Sequence, residues 1–221
     1  MEEIIDIHVH ILPEVDDGSP SLEESLKMLE NAEEEGIVEM LCVSHYIKGL
    51  YEPAKSTLEK LTRELQPHTR IKLHPGFEVM ADPDFSEEEY RKFSINETYL
   101  LLEFPHFSLN PVVLEIFKKM NLSVVLVHVE RYPSLIKNLA LMQELKKHNF
   151  LFQLNAGSLL ENPSFISLVK NGIIDIIASD AHSFRPFNMR RAYEMVKKKL
   201  GLWKARELFY ENPKKILKEE R

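Results

Sequence analysis

Hydrophobic and polar positions follow a repeating order along the chain, in which a short apolar, β-branched run precedes a longer amphipathic stretch. The apolar runs predict seven strands, at residues 4–9, 38–43, 71–74, 99–104, 123–128, 151–155 and 173–179. The amphipathic stretches predict helices at residues 21–36, 53–65, 86–93, 111–120, 133–148, 163–171, 188–200, 202–210 and 212–217. Strand and helix therefore alternate throughout.

Several strand runs are apolar without interruption, as at residues 124–127. Continuous apolar strands that alternate with helices predict a parallel sheet whose outer face is covered. Seven such units without glycine-rich phosphate loops favour a closed or nearly closed barrel over the alternative, an open doubly wound sheet. We predict an α/β fold with one domain over residues 1–221, and we expect the helices at 202–210 and 212–217 to pack on the barrel exterior.

Composition narrows the classes of function. The chain has 221 residues, 44% of them hydrophobic and 29% charged, which is typical of a folded globular protein. A formal charge of −7 disfavours a general binder of nucleic acid or anionic membranes. The seven glycines form no G-x-G, and none precedes Lys-Ser or Lys-Thr, which excludes the dinucleotide fingerprint and the P-loop. An acidic start and the lack of a long apolar run predict a cytoplasmic protein.

Ionisable residues collect where the predicted strands end. His8 and His10 close the first strand two residues apart, and so leave it on the same face. Asp180 and His182 follow the seventh strand at the same spacing. Five more candidates lie at the ends of the second to fifth strands or in the loop after the first: Asp17, His45, Glu78, Glu103 and His128. Because the C-terminal ends of barrel strands converge on one mouth, we expect all nine to meet there.

Five imidazoles and four carboxylates in an apolar mouth are costly unless they are paired, and divalent metal ions pair them. Histidine and carboxylate ligands without thiolate suit manganese, iron or zinc, and nine ligands exceed the capacity of one ion. The sequence therefore predicts two or three divalent ions. Arg131, three residues after His128, and Arg185, three after His182, add positive charge that suits a phosphate group.

Other residues carry weaker signals. His74 and His106 are secondary candidates for the mouth, and Asp6 is expected either as a polar residue of the barrel interior or as a hydrogen-bond partner of a ligand histidine. The single cysteine, Cys42, excludes an internal disulfide and a thiolate zinc site. A cysteine phosphatase loop is also excluded, because Lys48 stands where the loop needs arginine, and no G-x-S-x-G elbow occurs.

Eight short motifs occur in order along the chain: Ile5-Asp6-Ile7-His8-Val9-His10, Asp16-Asp17-Gly18, Ser44-His45-Tyr46, Gly76-Phe77-Glu78, Leu102-Glu103-Phe104-Pro105, Glu130-Arg131-Tyr132, Asn155-Ala156-Gly157-Ser158-Leu159 and Ser179-Asp180-Ala181-His182. With them the chain resembles the polymerase and histidinol phosphatase (PHP) superfamily. Within that superfamily it resembles the bacterial metal-dependent protein-tyrosine phosphatases of capsule and exopolysaccharide operons. The resemblance implies a distorted, TIM-like (β/α)7 barrel with a trinuclear site, often of manganese or iron.

The resemblance also implies how three ions share the ligands. It assigns His8, His10, Glu78 and Asp180 to the first ion, Glu78, Glu103 and His128 to the second, and Asp17, His45 and His182 to the third. Arg131 and Arg185 match arginines that grip the substrate phosphate. The chain departs from the usual family pattern at Val129, where proline is usual, and at Phe77, where a small polar residue is common.

These features predict metal-dependent hydrolysis of phosphomonoesters, with protein phosphotyrosine as the leading substrate. We expect hydroxide to be generated from water at two or three divalent ions, manganese first, with iron or zinc as alternatives. A phosphatase for small molecules such as histidinol phosphate is the alternative enzyme, and a non-catalytic metal-binding or scaffold domain is a third reading. No nucleic-acid partner and no membrane span are expected, and the sequence does not predict the oligomeric state.

Overall fold

A computed structural model describes residues 2–218. Within them are seven strands and eleven α-helices, and each strand is followed by one or more helices. The strands are β1 (Ile4–Val9), β2 (Ile37–Tyr46), β3 (Lys72–Met80), β4 (Tyr99–Glu103), β5 (Ser123–Leu126), β6 (Phe150–Asn155) and β7 (Ile176–Ala178). The helices are α1 (Leu22–Glu34), α2 (Lys55–Leu65), α3 (Glu87–Arg91), α4 (Pro111–Lys119), α5 (Pro133–Ile136), α6 (Leu139–Lys146), α7 (Ala156–Glu161), α8 (Ile166–Lys170), α9 (Met189–Leu200), α10 (Leu202–Arg206) and α11 (Asn212–Leu217). A π-helical turn, Glu207–Glu211, joins the last two helices.

The seven strands are all parallel and pair in the order in which they occur in the chain. Val9 and Ala181 form a bridge from β1 to the segment after β7, where the N–H of His10 donates to the carbonyl of Ala181 at 2.9 Å. Strands β3 and β4 pair only from Glu78 onward, so the lower half of the wall is open between them. The predicted α/β barrel, TIM-like and distorted, is confirmed.

The core has two layers. The larger apolar cluster lies between the barrel and its helices, and a smaller one fills the barrel interior with residues such as Ile5, Leu41 and Val125. Ile216 and Leu217, at the end of α11, belong to this inner cluster. The predicted exterior packing is therefore wrong for the end of α11, which closes the N-terminal end of the barrel.

Several element boundaries differ from the prediction. Strand β3 runs on to Met80 and so contains Glu78, which was expected after the strand. The predicted helix at 133–148 is two helices, α5 and α6, with Asn138 capping the second through a hydrogen bond from Leu141 N–H. Helix α1 begins as predicted, because the Ser21 hydroxyl accepts from the N–H of Glu24 at 3.2 Å. Among residues 2–218, no helix combines the length and apolar character needed to cross a membrane.

Candidate metal centre

All nine predicted ligand residues lie together at the C-terminal mouth of the barrel. Each has a side-chain nitrogen or carboxylate oxygen within 3.6 Å of such an atom of another member. Seven are buried, His45 is partly buried and the side chain of Asp17 is 52% exposed. His128 lies two residues beyond β5 in a left-handed backbone conformation (φ 35°). The structure thus brings together what the strand ends predicted.

Strand β1 changes its register just before it reaches the mouth. Three steps of β1, from Asp6 to Val9, match two steps of β2, from Met40 to Cys42. The carboxylate of Asp6 is buried here and accepts the backbone N–H of His8 at 3.2 Å. The extra residue lets the lower part of β1 fill the apolar interior while the two histidines above it reach the mouth. Asp6 thus bonds the backbone of an expected ligand rather than its ring.

Glu78 is the fully buried centre of the cluster. Its Oε2 lies 3.2 Å from Nε2 of His8, 3.1 Å from Nε2 of His10 and 3.0 Å from Nδ1 of His45. Its other oxygen, Oε1, lies 2.7 Å from Nε2 of His128. Among the described residues, no partner gives Oε2 a hydrogen bond of good geometry. A buried carboxylate oxygen that faces three imidazole nitrogens is costly by itself and is a fitting ligand for a divalent cation.

Three overlapping groups have ligand atoms that all lie within 4.8 Å of one another: His8, His10 and Glu78; His45, Glu78 and Glu103; and His10, His45 and His182. The remaining three candidates, Asp17, His128 and Asp180, contact members of these groups at 2.7–3.6 Å. Nitrogen and carboxylate ligands without sulfur fit a cluster of divalent ions. The first group contains three of the four residues expected for the first ion and lacks Asp180, whereas the other two groups distribute His10 and His45 differently from the expectation.

Asp180 links the cluster to both predicted phosphate-binding arginines. Its Oδ1 lies 3.7 Å from Nε2 of His8, on the inner side of the mouth. Its Oδ2 accepts from Nη2 of Arg131 at 3.1 Å and pairs with Nη1 of Arg185. The side chains of both arginines are about one-third exposed. Asp180 therefore holds the guanidinium groups of Arg131 and Arg185 next to each other at the entrance of the barrel mouth.

Neighbouring carboxylates favour the protonated form of His10 and His45. Burial lowers the pKa of His10, but the hydrogen bond to Asp16 and the nearby carboxylate of Glu78 outweigh it and raise that pKa to about 9. Burial also lowers the pKa of His45, whereas the negative charges of Glu78 and Asp17 raise it to about 11. Cations and protons compete for such sites, since a ligand imidazole must be neutral. The negative potential of the carboxylates, which raises these pKa values, also attracts a metal ion.

His182 behaves in the opposite way. Burial and the neighbouring charge of His10 lower its pKa to about 4, so its ring is neutral near pH 7. Its Nδ1–H donates to the backbone carbonyl of Asp180 at 3.0 Å. Nε2 then carries the lone pair of the ring, and this nitrogen lies 3.8 Å from Oδ1 of Asp17. The ring is thereby oriented as a metal ligand.

Sequence reasoning missed Asp16, which orients two ligands. One oxygen, Oδ2, lies 2.8 Å from Nδ1 of His10 and also accepts the backbone N–H of His45 at 2.9 Å. The other accepts the N–H of Gly18 at 2.9 Å. A Cβ at Gly18 would lie 2.3 Å from the carbonyl oxygen of His10, so only glycine permits this close approach. The sequence signal for Asp16 is its place beside Asp17 in Asp16-Asp17-Gly18, where only Asp17 was predicted as a ligand.

A second missed residue is Gln153 in β6. Its Oε1 lies 3.3 Å from Nδ1 of His8 and accepts the backbone N–H of His128 at 2.8 Å. Its Nε2 donates to Asn155, whose own amide donates to Asp180 at 2.9 Å. The signal was two amides, two residues apart, in an otherwise apolar strand.

The two secondary histidines do not join the cluster. Nε2 of His74 lies 2.8 Å from Glu39 in the lower part of the barrel, and His106 is exposed. For these two residues, the structure supports no place in the mouth.

Comparison with known proteins agrees with the geometry. A family model described as "Capsular polysaccharide synthesis, CpsB/CapC" matches residues 4–218. The tyrosine-protein phosphatase CpsB of Streptococcus pneumoniae is 30% identical over 242 residues, which cover 98% of this chain and 99% of that protein. The putative tyrosine-protein phosphatase CapC of Staphylococcus aureus is also 30% identical, over 99% of this chain and 92% of that protein.

One solved structure is similar over nearly the whole chain. It comes from work on YwqE of Bacillus subtilis and CpsB of Streptococcus pneumoniae, described as unique metal-dependent tyrosine phosphatases. The similarity has a TM-score of 0.87 at 26% sequence identity and covers 99% of this chain and 96% of the other. Sequence and fold therefore agree, and this chain belongs to the CpsB/CapC family.

Proposed function

We propose that this protein is a metal-dependent phosphatase that hydrolyses phosphotyrosine in proteins. The observation that carries the proposal is the buried carboxylate of Glu78, which faces four imidazoles at 2.7–3.2 Å and leaves one oxygen without a good hydrogen bond among the described residues. Relatives at 30% identity are named tyrosine-protein phosphatases, which supports this substrate class.

The site fits two or three divalent ions, with manganese as the proposed metal and iron or zinc as alternatives. The proposed ligands are the nine residues of the cluster: His8, His10, Asp17, His45, Glu78, Glu103, His128, Asp180 and His182. Glu78 would be shared between ions, because its two oxygens face different imidazoles. When bound, divalent ions supply Lewis acidity, which lowers the pKa of water and neutralises charge on a phosphoryl group.

The chain's own residues position the substrate. Arg131 and Arg185 would bind the phosphoryl oxygens with their guanidinium groups, which Asp180 holds beside the cluster. Asp180 keeps both side chains at the entrance, so little of their motion is lost when phosphate binds. The leaving group of tyrosine phosphate is a phenolate with a pKa of about 10, so it departs with less protonation than an alkoxide.

The proposed setting follows from the same features. The substrate would be a tyrosine-phosphorylated protein, the location the cytoplasm, and nucleic acid would not be a partner, because the chain carries a formal charge of −7.

Metal analysis followed by turnover tests the proposal. The protein is purified without added ions, its metal content is measured, and hydrolysis of a phosphotyrosine peptide and of histidinol phosphate is compared with manganese, iron, cobalt and zinc. We expect two or three ions per chain and a higher kcat/KM for the phosphotyrosine peptide. Preference for histidinol phosphate would reassign the enzyme to small molecules, and a protein that binds no metal would end the proposal.

A further inference from the structure

Two aromatic rings stand beside the candidate ligands at one corner of the mouth. The ring of Phe184 lies 5.0 Å from that of His182, and the ring of Tyr51 lies 6.0 Å from that of His45, nearly parallel to it at 21°. The two imidazoles are themselves neighbours, with ring centroids 6.3 Å apart. Each ring thus extends the wall of the cluster outward on its own side.

Tight turns fix the backbone that carries both rings. In the turn that carries Phe184, His182 and Arg185 exchange two backbone hydrogen bonds at 3.0 and 3.1 Å. In the turn that carries Tyr51, the backbones of Ile47 and Tyr51 exchange two hydrogen bonds at 2.8 and 2.9 Å. Because the backbone of each turn is already fixed, only side-chain rotation is lost when a ring contacts a ligand, which favours binding.

Phe184 is also placed next to the predicted phosphate site. Its side chain is 66% exposed, although it lies at the rim of a cleft lined with ionisable groups. The guanidinium of Arg185 lies 5.7 Å from the centre of its ring. A phosphate held by Arg185 would therefore carry its ester group past Phe184.

The shape of the phosphate ester determines which part of the substrate lies next to Phe184 and Tyr51. In phosphotyrosine a phenyl ring separates the phosphate from the peptide backbone, so a flat apolar group lies at the level of the rim when phosphate is bound. In phosphoserine the polar backbone itself would lie there. Aromatic rings attract one another at centroid distances of 4.5–7 Å, beyond the gain from burial alone.

We propose that Phe184 and Tyr51 form an aromatic slot that receives the phenyl ring of the substrate and makes the site selective for aryl over alkyl phosphate esters. This inference rests on the proposed function and adds the residues that determine specificity. The slot acts through contact with the ring, so any side chain that keeps an aromatic ring at these positions keeps the selectivity.

The test compares two peptides of one sequence that carry phosphotyrosine or phosphoserine. In Phe184→Ala we expect the ratio of their kcat/KM values to fall about tenfold, and in Tyr51→Ala by a similar factor. Phe184→Tyr and Tyr51→Phe keep a ring and should keep the ratio. Trp203→Ala is the matched control, because Trp203 is an exposed aromatic residue (85%) on α10, away from the cluster, and should keep wild-type rates.

Binding of two non-hydrolysable anions separates the slot from the chemistry. Calorimetry on metal-loaded protein should show that wild type binds phenylphosphonate more tightly than methylphosphonate, and that Phe184→Ala loses most of this preference. If the wild type hydrolyses phosphotyrosine and both alanine variants keep the wild-type ratio, the slot is wrong and the proposed function stands. If the wild type fails on both peptides, the proposed function is wrong, and the phosphonate pair still decides whether the slot exists.

Discussion

The two ends of the barrel each bury a glutamate, and they neutralise it in different ways. At the N-terminal end, Glu39 of β2 is only 4% exposed and pairs with Lys214 of α11 and with His74 at 2.8 Å. At the mouth, the ion-pair partners of Glu78 of the adjacent strand are imidazoles, as far as the described residues go. The charge of Glu39 is neutralised by a lysine of the chain itself, whereas Glu78 is surrounded by imidazoles, which are typical ligands of a divalent metal ion.

This contrast shows that burial of a charge does not by itself mark a functional site. Glu39 is as much a buried acid as Glu78, yet its partners include a lysine that ties α11 to the barrel. The type of partner separates the two roles: a lysine partner is structural, and a ring of neutralisable imidazoles indicates a metal site.

The largest effect is expected for His8→Ala. Loss of an imidazole that lies 3.2 Å from Glu78 should remove bound metal and lower kcat/KM by about 10³-fold, since ion-supplied stabilisation is worth several kcal/mol. Metal content and turnover are measured on the same samples. Wild-type metal content and activity in this variant would reject the cluster as the active site.

Gly18→Ala should weaken metal binding about 10- to 100-fold. The added Cβ would lie 2.3 Å from the His10 carbonyl oxygen, so the loop that carries Asp16 and Asp17 must move. Competition with a coloured chelator measures the affinity. Gly157→Ala is the control, because its nearest neighbour would be 3.6 Å away, an ordinary contact. Equal affinities in the two variants would contradict the close approach at Gly18.

Arg131→Ala should leave the metal in place and raise KM for an aryl phosphate about tenfold, with a fall in kcat if the contact strengthens in the transition state. Steady-state kinetics and metal analysis separate the two effects. Arg131→Lys keeps the charge and loses the planar fork, so an intermediate KM is expected. A loss of metal in Arg131→Ala would assign the residue to the ion cluster instead.

Glu39→Gln should reverse this pattern, with kcat/KM within about twofold of wild type and a loss of about 1–3 kcal/mol in the free energy of unfolding. The ion pair with Lys214 is lost while the shape of the side chain is kept. Urea unfolding of metal-free protein gives the stability. If activity fell and stability did not, the two ends of the barrel would have the opposite roles.

The smallest effect concerns pH. Burial raises the pKa of Glu39, but Lys214 and His74 outweigh it and hold that pKa below the ordinary value of 4.5. A lowered pKa in the folded state stabilises the fold above pH 4.5, and this contribution is lost as pH falls through the lowered value. The difference in unfolding free energy between wild type and Glu39→Gln should therefore be largest at neutral pH and shrink toward pH 3. A difference that stays constant with pH would show that Glu39 contributes by shape alone.

Much of the site was predictable because its signals are local. A histidine or acid at the end of an apolar run is visible in the sequence, and the parallel barrel then brings the strand ends together. Asp16 and Gln153 were missed because their role depends on contacts across the fold, 29 residues away to His45 in one case and 145 to His8 in the other. Spacing along the chain carries no record of such contacts.

The fold was less predictable where local rules are overridden. Pro75 and Gly76 favour a turn, yet both lie within β3. Proline is tolerated there because β4 pairs with β3 only from Glu78 onward, so on that side no ladder hydrogen bond is lost. A Cβ at Gly76 would lie 2.9 Å from Cδ1 of Leu41, so a larger residue would require that side chain to shift. Likewise, the amphipathic pattern of α11 predicts a buried face but not that its end enters the barrel.

The position of α11 has a consequence for biosynthesis. Ile5 begins the inner apolar cluster, and Ile216 and Leu217 complete it, so its first and last members lie almost the whole chain apart. At about 5–20 residues per second, the ribosome takes roughly 10–40 s to make the chain between them. Until α11 has been made, the N-terminal end of the barrel is not closed, and water can reach the interior from that end. The inner apolar cluster is complete only when the last turn of α11 has been made.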